Sequence, residues 1–396
     1  MKSRPLKSRE LRFLISSLFL VLCIITFSLK GDWCVEALEK LAVASASTVL
    51  PTGVGVSDNQ EHTGKNETTN ESEPHSEEER ETSDKSEEST NLTESQKQEQ
   101  DKSENETSFN ETPEDVLEIM EKYKKEKGDE KKSGNITEQT YKNSGVTNSY
   151  GNVRVKNVND TGIDIKKLLN EKADLNIKDK SKPSVLIFHT HTTETYQIID
   201  RDYYGKSYAP RSNDLSLNMV RVGVAIKEEL EKAGYTVIHD TTIYDFKYNG
   251  AYDRSREAIE KHLKEHPEIQ IVLDIHRDAI ELNDGTKIKP VCEIQGKKCA
   301  QIMIISGCQE SGNGITGFDD WRYNLTFAVQ LQNKLESSFP GITRPLYFCP
   351  RKYNMDTRHC SLLIEMGSDA NTLEEAVYSG KCLGSALSDL MKDYTL

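Results

Sequence analysis

The chain has 396 residues and a formal net charge of −14, because 65 acidic side chains outnumber 51 basic ones. Only 35% of the residues are hydrophobic, and the stretch from about residue 56 to 148 is nearly empty of large apolar side chains. The charge argues against a nucleic-acid partner, since phosphate binding requires a basic face. We expect one folded core of roughly 210 residues rather than the two or three domains that length alone suggests.

The first thirty residues predict a membrane anchor. Basic side chains up to Arg12 precede an apolar run from Phe13 to Leu29, which is about long enough to span a bilayer. The basic flank should stay in the cytoplasm, so everything after the run should lie outside. A cleaved signal peptide is the alternative, but its candidate cleavage site at residues 42–47 lies too far beyond the run. We therefore expect residues 1–30 to be a cytoplasmic tail and a single-pass transmembrane helix in the cell membrane.

Residues 31–150 predict an extracytoplasmic, disordered, acidic linker. Most of this stretch consists of Glu, Ser, Thr, Asn and Lys, so too little apolar surface is available to offset the entropy of ordering. The exception is Pro113 to Lys124, whose apolar residues recur near helical spacing and allow a short helix. A hydrated tether of this kind would let a folded domain reach substrate away from its anchor.

Residues 151–396 alternate between strand and helix patterns and predict an α/β domain. Strands are predicted at Val185–His189, Tyr235–His239, Ile269–Ile275, Val291–Ile294, Gln301–Ser306, Leu346–Phe348 and Leu362–Glu365. Helices are predicted from an N-cap at Asp214 to Gly234, then at Arg254–His266, at Trp321–Phe339 with Asn324, Gln330, Gln332 and Asn333 facing solvent, and from Leu373 to about Tyr394. This order implies a mainly parallel, twisted sheet with helices on both faces.

Three of the predicted strands end in residues that bind metals or transfer protons. His189 ends the first, His276 the third and Glu365 the last. Ligand sites in α/β sheets lie beyond the carboxyl ends of the strands. Imidazole and carboxylate groups there are the ligands that zinc prefers. The pattern therefore predicts a Zn²⁺ site in which His189 and His276 are ligands.

The segments HTHTTETY, LDIHRDA and LLIEMGS, in this order and spacing, resemble the stage II sporulation protein P family. These proteins are membrane-anchored peptidoglycan hydrolases of spore-forming bacteria, and their catalytic domain is similar to zinc-dependent N-acetylmuramoyl-L-alanine amidases. The resemblance covers about the C-terminal half, from about Pro183 onward. It implies that residues 151–396 are a zinc-dependent peptidoglycan hydrolase domain that cuts the amide between N-acetylmuramic acid and L-alanine. Endopeptidase activity on stem-peptide crosslinks is implied as well.

The same resemblance implies a biological setting for this activity. It implies a role in engulfment of the forespore, in the mother-cell membrane facing the intermembrane space. It also implies partnership with stage II sporulation protein D, a glycan-cleaving enzyme, and with stage II sporulation protein M in the membrane.

The amidase resemblance also suggests roles for individual residues. The amidases use a glutamate between the first strand and the first helix as third zinc ligand, which implies Glu194; His191 is the alternative ligand or orients the site. Glu365 matches the catalytic carboxylate, which would take a proton from water and pass it to the leaving amine. Contacts with substrate, or a bracing role, are expected of Arg277, Asp278, Arg211 and Asn213; a structural ion pair is an equal alternative for Arg277 and Asp278.

Two other functions remain open from the sequence. One is a catalytically inactive wall-binding scaffold of the same fold, which the presence of all the expected site residues disfavours. The other is a zinc hydrolase of a different amide, such as a small-molecule deacylase, although an anchor with a long tether suits an immobile polymer better. The six cysteines of the folded half form no CxxC pair, so disulfides and free buried thiols are both open.

Overall fold

The computed structural model describes residues 109–310 and 314–396. The predicted anchor and most of the predicted linker lie outside these residues. Within the part of the chain that is described, no helix is both long enough and apolar enough to cross a membrane.

The described residues form six named helices and twelve strands. The helices are α1 (Glu114–Lys127), α2 (Ile165–Asn170), α3 (Met219–Lys232), α4 (Ala251–Glu265), α5 (Trp321–Ser338) and α6 (Leu373–Lys392). The strands are β1 (Lys132–Gln139), β2 (Asn148–Tyr150), β3 (Val153–Asn157), β4 (Pro183–Phe188), β5 (Tyr203–Gly205), β6 (Thr236–His239), β7 (Ile271–Asp278), β8 (Lys287–Ile294), β9 (Lys297–Ala300), β10 (Ile302–Gly307), β11 (Leu346–Cys349) and β12 (Ser361–Ser368).

Eight of the strands form one mixed sheet in the order β2-β3-β11-β10-β12-β7-β4-β6. Its strand pairs are parallel except for β2–β3 and β10–β12, which are antiparallel. The remaining four strands form a smaller sheet in the order β5-β1-β8-β9. The large sheet is therefore mainly parallel, as the alternating pattern predicts.

Helices cover both faces of the large sheet. On one face, Ile187 and Leu273 join the main hydrophobic core with residues of α3, α5 and α6. On the opposite face, Leu186 and Val272 pack against Ile259 of α4. Successive side chains of a strand point to opposite faces, so neighbouring residues of β4 and β7 pack into different hydrophobic clusters. This alternation decides which residues can meet where the strands end.

The helix after β4 begins later than predicted. Asn218 is its N-cap, and the Asn218 side chain accepts a hydrogen bond from the backbone N–H of Val220. Asp214 instead accepts hydrogen bonds from the backbone N–H and the hydroxyl of Ser216. Asp214 therefore closes a turn of its own, and the chain before Asn218 remains a loop.

Of the four polar side chains of α5 predicted to face solvent, only Asn333 is partly exposed. Asn324, Gln330 and Gln332 are all buried, because α5 packs against α2, α6 and β10. Each amide has a partner: Asn324 donates to the Met355 carbonyl, and Gln332 donates to the Arg344 carbonyl. These buried amides cross-link loops to the helix.

The folded unit begins well before residue 151, so the predicted linker extends too far. Strand β1 pairs with both β5 and β8. In α1, Asp115 accepts two hydrogen bonds from the buried guanidinium of Arg221, at 2.6 and 3.0 Å. Phe109 and Val116 pack against the main core. Composition hides this segment because polar contacts and backbone pairing, rather than many apolar side chains, hold it in place.

Candidate active site

The site lies at the carboxyl ends of three adjacent strands. In the parallel pair β7–β12, His276 lies directly opposite Glu365. Strand β4 pairs with the other edge of β7, and the turn that follows β4 carries His191 and Glu194. These four side chains are buried, with between 4% and 9% of each residue exposed.

The four side chains form one cluster. His276 Nδ1 lies 3.7 Å from Glu194 Oε2. The ring centroids of His191 and His276 are 5.3 Å apart, with the planes at 85°. Glu365 is close enough that the charges of His276 and Glu194 both change its pKa. Two imidazoles and two carboxylates thus form one buried cluster.

The two carboxylates have opposite electrostatic environments. Burial raises the pKa of Glu365 well above its usual value, and the negative charge of Asp278 raises it further. Burial would also raise the pKa of Glu194, but the positive charges of Arg277, His276 and Arg211 outweigh it and lower the pKa. Carboxylates whose pKa values are driven apart suit different tasks: Glu194 favours the ionised form, and Glu365 can hold a proton.

The two histidines differ in the same way. Burial lowers the pKa of His191 to about 4, so its ring is neutral near pH 7 and keeps a free lone pair. Burial also opposes the charged form of His276, but the Asp274 carboxylate raises the pKa of His276 to about 9. Asp274 is itself fixed by the backbone N–H and the hydroxyl of Thr190, at 2.8 and 2.6 Å.

Two arginines flank Glu194, and both were predicted near the site. Arg277 is buried, and its guanidinium donates hydrogen bonds to the backbone carbonyls of Thr195 and Pro210, at 3.0 and 2.8 Å. Arg211 is more exposed; it forms an ion pair with Asp245 and lies 3.5 Å from Glu194. Arg277 therefore braces the turn after β4, while Arg211 has surface left for a ligand.

The other two predicted contact residues have different positions. Asp278 forms an ion pair with Arg344 at 2.9 Å, which is the structural alternative considered from the sequence. Asn213 is exposed, and its side chain makes no hydrogen bond with another described residue. Neither side chain belongs to the four-residue cluster.

His189, which the sequence predicts as a ligand, lies outside this cluster. Its Nδ1–H donates to the Ile275 carbonyl at 2.9 Å, and its Nε2 lies 2.9 Å from Nε2 of His239. A Cβ atom added to Gly223 of α3 would meet His189 Nε2 at 2.8 Å. The ring therefore lies beneath α3, on the face that Ile187 shares, whereas His276 shares the other face with Asp274.

Two tyrosines at the site were not predicted. The Tyr248 ring stacks on His191 with centroids 4.9 Å apart and planes at 3°. The Tyr252 ring meets His191 edge-on at 5.7 Å and lies parallel to His276 at 6.4 Å. Both follow β6, which ends at the same sheet edge as β4. Extending the strand-end argument to β6 would have indicated this loop.

Buried atoms without hydrogen-bond partners mark the cluster as a binding site. Among the described residues, His191 Nδ1, His276 Nε2 and Glu365 Oε2 are buried and make no hydrogen bond. His276 Nε2 does lie 2.7 Å from Asp274 Oδ1, but without hydrogen-bond geometry, so we treat this contact as an ion pair. Unsatisfied buried polar atoms in a native protein call for an explanation such as a bound ion, and these donor types fit zinc.

Another set of metal-type ligands lies elsewhere in the described residues. Ligand atoms of Glu138, Asp200 and Glu375 all lie within 4.8 Å of one another, a spacing that the atoms of the four-residue cluster do not meet. However, Lys289 Nζ already lies among them, at 3.2, 2.7 and 2.6 Å. Since the ammonium supplies the positive charge, we interpret this set as an ion-pair network.

Comparison with known proteins gives a family match. The family model described as Stage II sporulation protein P (SpoIIP) matches residues 46–388. A stage II sporulation protein P of Bacillus subtilis (strain 168) is 26% identical over 224 residues, which cover 54% of this chain and 52% of the relative. The matched region thus spans about half the length of that relative.

Similar solved structures include two amidases. N-acetylmuramoyl-L-alanine amidase AmiC2 of Nostoc punctiforme is 11% identical, with 55% of this chain and 98% of that chain covered and a TM-score of 0.30. The CwlD amidase from Clostridioides difficile in complex with the GerS lipoprotein is 16% identical, with 53% and 98% covered and a TM-score of 0.31. TM-scores this low do not bear on the function of this chain.

Proposed function

Because this chain belongs to the stage II sporulation protein P family, we propose that it is a zinc-dependent peptidoglycan hydrolase that acts in sporulation. The bond cut is the amide between N-acetylmuramic acid and L-alanine. One observation carries the proposal: His191, Glu194, His276 and Glu365 meet at one sheet edge, and buried atoms of His191 and Glu365 make no hydrogen bond with the described residues.

We assign the zinc ligands to His191, Glu194 and His276. The assignment replaces His189 with His191, whose neutral ring belongs to the cluster. Three protein ligands leave one coordination position open, which is typical of catalytic rather than structural zinc. When bound, zinc would polarise the scissile carbonyl and lower the pKa of a water molecule.

Glu365 is the proposed general base and then the general acid. It accepts a proton from the attacking water and delivers it to the nitrogen of the leaving amine. A general base is most effective when its pKa lies near the working pH. Burial and the charge of Asp278 raise the pKa of Glu365 in that direction, and the free Oε2 is available to accept the proton.

The two arginines have separate proposed roles. Arg277 keeps Glu194 ionised and orients it, because Arg277 is buried and already bound to the turn that carries Glu194. Arg211 contacts substrate, since a guanidinium binds carboxylates and its side chain is 37% exposed beside Glu194. The carboxylates of a stem peptide are suitable partners for it.

The proposal extends to the wider biology of the family. It includes endopeptidase activity on stem-peptide crosslinks, a role in engulfment and partnership with stage II sporulation proteins D and M. It also includes a single-pass anchor in the mother-cell membrane that presents the catalytic domain to the intermembrane space. Family membership is what supports these parts.

The test uses the full-length chain, purified in detergent and loaded with zinc. It is added to purified peptidoglycan with and without a chelator, and the released products are identified by mass spectrometry. We expect chelator-sensitive release of free stem peptides. Glu365→Gln should slow the release by about 10²- to 10⁴-fold, the usual contribution of general acid–base catalysis, with zinc content unchanged.

Glu257→Gln is the matched control, because Glu257 is exposed on α4 and loses the same charge. Cut crosslinks without free stem peptides would replace the amidase with an endopeptidase. No release by a folded, zinc-loaded protein would favour the wall-binding scaffold.

A further inference from the structure

We propose that Tyr252 is a further catalytic residue, whose phenolic hydroxyl donates a hydrogen bond to the carbonyl oxygen of the scissile amide as that carbon becomes tetrahedral. This inference rests on the proposed function and adds to it an oxyanion donor from α4. Glu365 still performs the proton transfers.

Tyr252 is placed where such a donor is needed. Its ring contacts both proposed ligand histidines, edge-on to His191 at 5.7 Å and parallel to His276 at 6.4 Å. A third ring, that of Tyr353, lies 5.5 Å away. These three ring contacts hold the Tyr252 ring beside the cluster that would bind the reacting carbonyl.

The hydroxyl of Tyr252 has no partner within the described part of the protein, and the residue is half-buried. It makes no hydrogen bond with any described residue. The more deeply buried phenols of Tyr196 and Tyr244 are paired with protein oxygens, the Met366 carbonyl and Asp240. Tyr252 is half-buried beside the candidate ligands, so its free hydroxyl is available to donate a hydrogen bond to a bound substrate.

The backbone of Tyr252 is held rigidly to the strand ends. Its carbonyl accepts hydrogen bonds from Asn354 Nδ2 at 2.9 Å and from Ser255 Oγ at 3.2 Å. Ser255 Oγ is also 2.9 Å from Thr190 Oγ1, which donates to Asp274 at 2.6 Å. This chain of contacts fixes the first turn of α4 relative to His276. A donor that is already fixed stabilises a transition state without reorganisation during the reaction.

The chemistry balances without a proton leaving Tyr252. As water attacks, the carbonyl π electrons move onto oxygen, and the O–H group of Tyr252 stabilises that developing charge. When the C–N bond breaks, the carbonyl re-forms and the leaving amine takes its proton from Glu365. A phenol has an ordinary pKa of about 10, so Tyr252 remains a donor throughout.

The test compares Tyr252→Phe with the wild-type full-length chain, both loaded with zinc and acting on soluble glycan fragments. Removing one oxyanion donor typically lowers kcat by about 10²- to 10³-fold, and we expect KM to change by less than about twofold. Zinc content and thermal unfolding should be unchanged, because only one oxygen is removed. A phosphinate analogue of the scissile amide, measured by calorimetry, should lose affinity by a similar factor. Binding of the product stem peptide should not change.

Tyr323→Phe is the matched control. Tyr323 also stacks on a histidine, His359, at 4.1 Å, but on the surface of α5. This variant should keep wild-type kcat and phosphinate affinity.

Several results would overturn the inference. An unchanged kcat in Tyr252→Phe, a change in KM alone, or equal losses of phosphinate and product affinity would each show that the hydroxyl is not an oxyanion donor. If the wild type cleaves and Tyr252→Phe equals it, only this inference fails. If the zinc-loaded wild type releases nothing, the proposed function fails and this inference fails with it.

Discussion

At the residue scale, the site depends on a change of direction directly after β4. Phe188 is the last residue of the strand, His189 still points to the α3 face, and the turn that follows brings His191 to the opposite side. One intervening residue therefore separates a histidine packed under a helix from one in the four-residue cluster.

We expect the two histidines to respond differently to substitution. His191→Ala should lose bound zinc, because it removes a proposed ligand. His189→Gln should retain zinc but unfold more easily, since it disturbs the buried contacts with Ile275 and His239. Metal content after dialysis and urea denaturation would measure both effects. Zinc loss in His189→Gln with retention in His191→Ala would reverse the assignment.

The buried histidine pair predicts acid sensitivity of the metal-free protein. Burial lowers the pKa of His189 to about 4 and that of His239 to about 3, below the unfolded value of about 6.5. Between these values only the unfolded chain takes up protons, so the free energy of unfolding should fall as the pH drops from about 6.5 towards 4. His276 contributes the opposite pH dependence to the free energy of unfolding. Its raised pKa stabilises the fold at low pH, and that contribution is lost as the pH rises through about 9.

Urea denaturation at several pH values would measure this dependence. In His239→Gln the decrease below pH 6.5 should be shallower than in the wild type. A decrease of the same slope in this variant would show that other groups cause the acid sensitivity.

The sequence identified most of the cluster but not all of it. Glu194, His276 and Glu365 were predictable because each follows an apolar run or lies between the first strand and helix, and the structure brings them together. The sequence predicts His189 as a ligand and offers His191 only as the alternative to Glu194, because an apolar pattern does not reveal at which residue a strand turns. Tyr252 does not follow β6 directly: twelve residues separate it from the strand end, so the residue pattern at the strand end does not point to it.

At the element scale, β12 contains an irregularity next to the proposed catalytic residue. Its pairing with β7 shifts register between Glu365 and Ser368, and Gly367 has a φ of 71°. A Cβ atom on Gly367 would lie 2.4 Å from Asn371 Oδ1 and 2.8 Å from the Ala300 Cβ. The bulge therefore needs glycine for both conformation and space, and it sets the end of the strand that carries Glu365.

We expect Gly367→Ala to destabilise the protein and to reduce peptidoglycan cleavage. The left-handed conformation alone costs about 1–2 kcal/mol with a Cβ atom, and the clash adds to that. Gly296→Ala is the matched control, since Gly296 has a φ of 78° but nothing within 4 Å of the added atom. In Gly296→Ala the free energy of unfolding should fall only by the conformational contribution, and the activity should be kept. Equal losses of stability in the two variants would show that the crowding at Gly367 is relieved by small shifts.

The helices show what periodicity cannot predict. The position of α5 follows from its sequence, but the burial of Gln332 does not, because a buried amide and an exposed one look alike in a pattern. Its environment depends on Arg344, whose carbonyl accepts its hydrogen bond. Likewise, Asp214 and Asn218 are both good capping residues, and only the surrounding loop decides which one starts α3.

At the scale of the whole molecule, the catalytic unit includes a segment that its composition assigns to the linker. The segment from residue 109 through β1 contacts the loop that carries Arg211. Glu130 accepts hydrogen bonds from the backbone and hydroxyl of Ser207 at 2.6 and 2.8 Å, and Arg201 donates to the Lys127 carbonyl at 2.6 Å. Because that loop ends beside Glu194, the segment supports the site as well as the fold.

Removing this segment should therefore cost both stability and activity. In a chain that starts at residue 151, the Arg221 guanidinium is buried without its partner Asp115. Strands β5 and β8 also lose β1, the strand that lies between them. An uncompensated buried charge is strongly destabilising, and unpaired strand edges favour aggregation. We expect that fragment to melt at least about 5 °C below the full chain, which corresponds to roughly 1–2 kcal/mol for a unit of this size, and to cleave peptidoglycan poorly.

A fragment that starts at residue 106 should match the full chain in both its melting temperature and its cleavage activity. Asp115→Asn in the full chain separates the two causes, because it weakens the ion pair with Arg221 but keeps β1. If this variant melts near the wild type, most of the loss in the shorter fragment comes from the missing strand pairing. If it melts near the shorter fragment, most of the loss comes from the unpaired charge of Arg221.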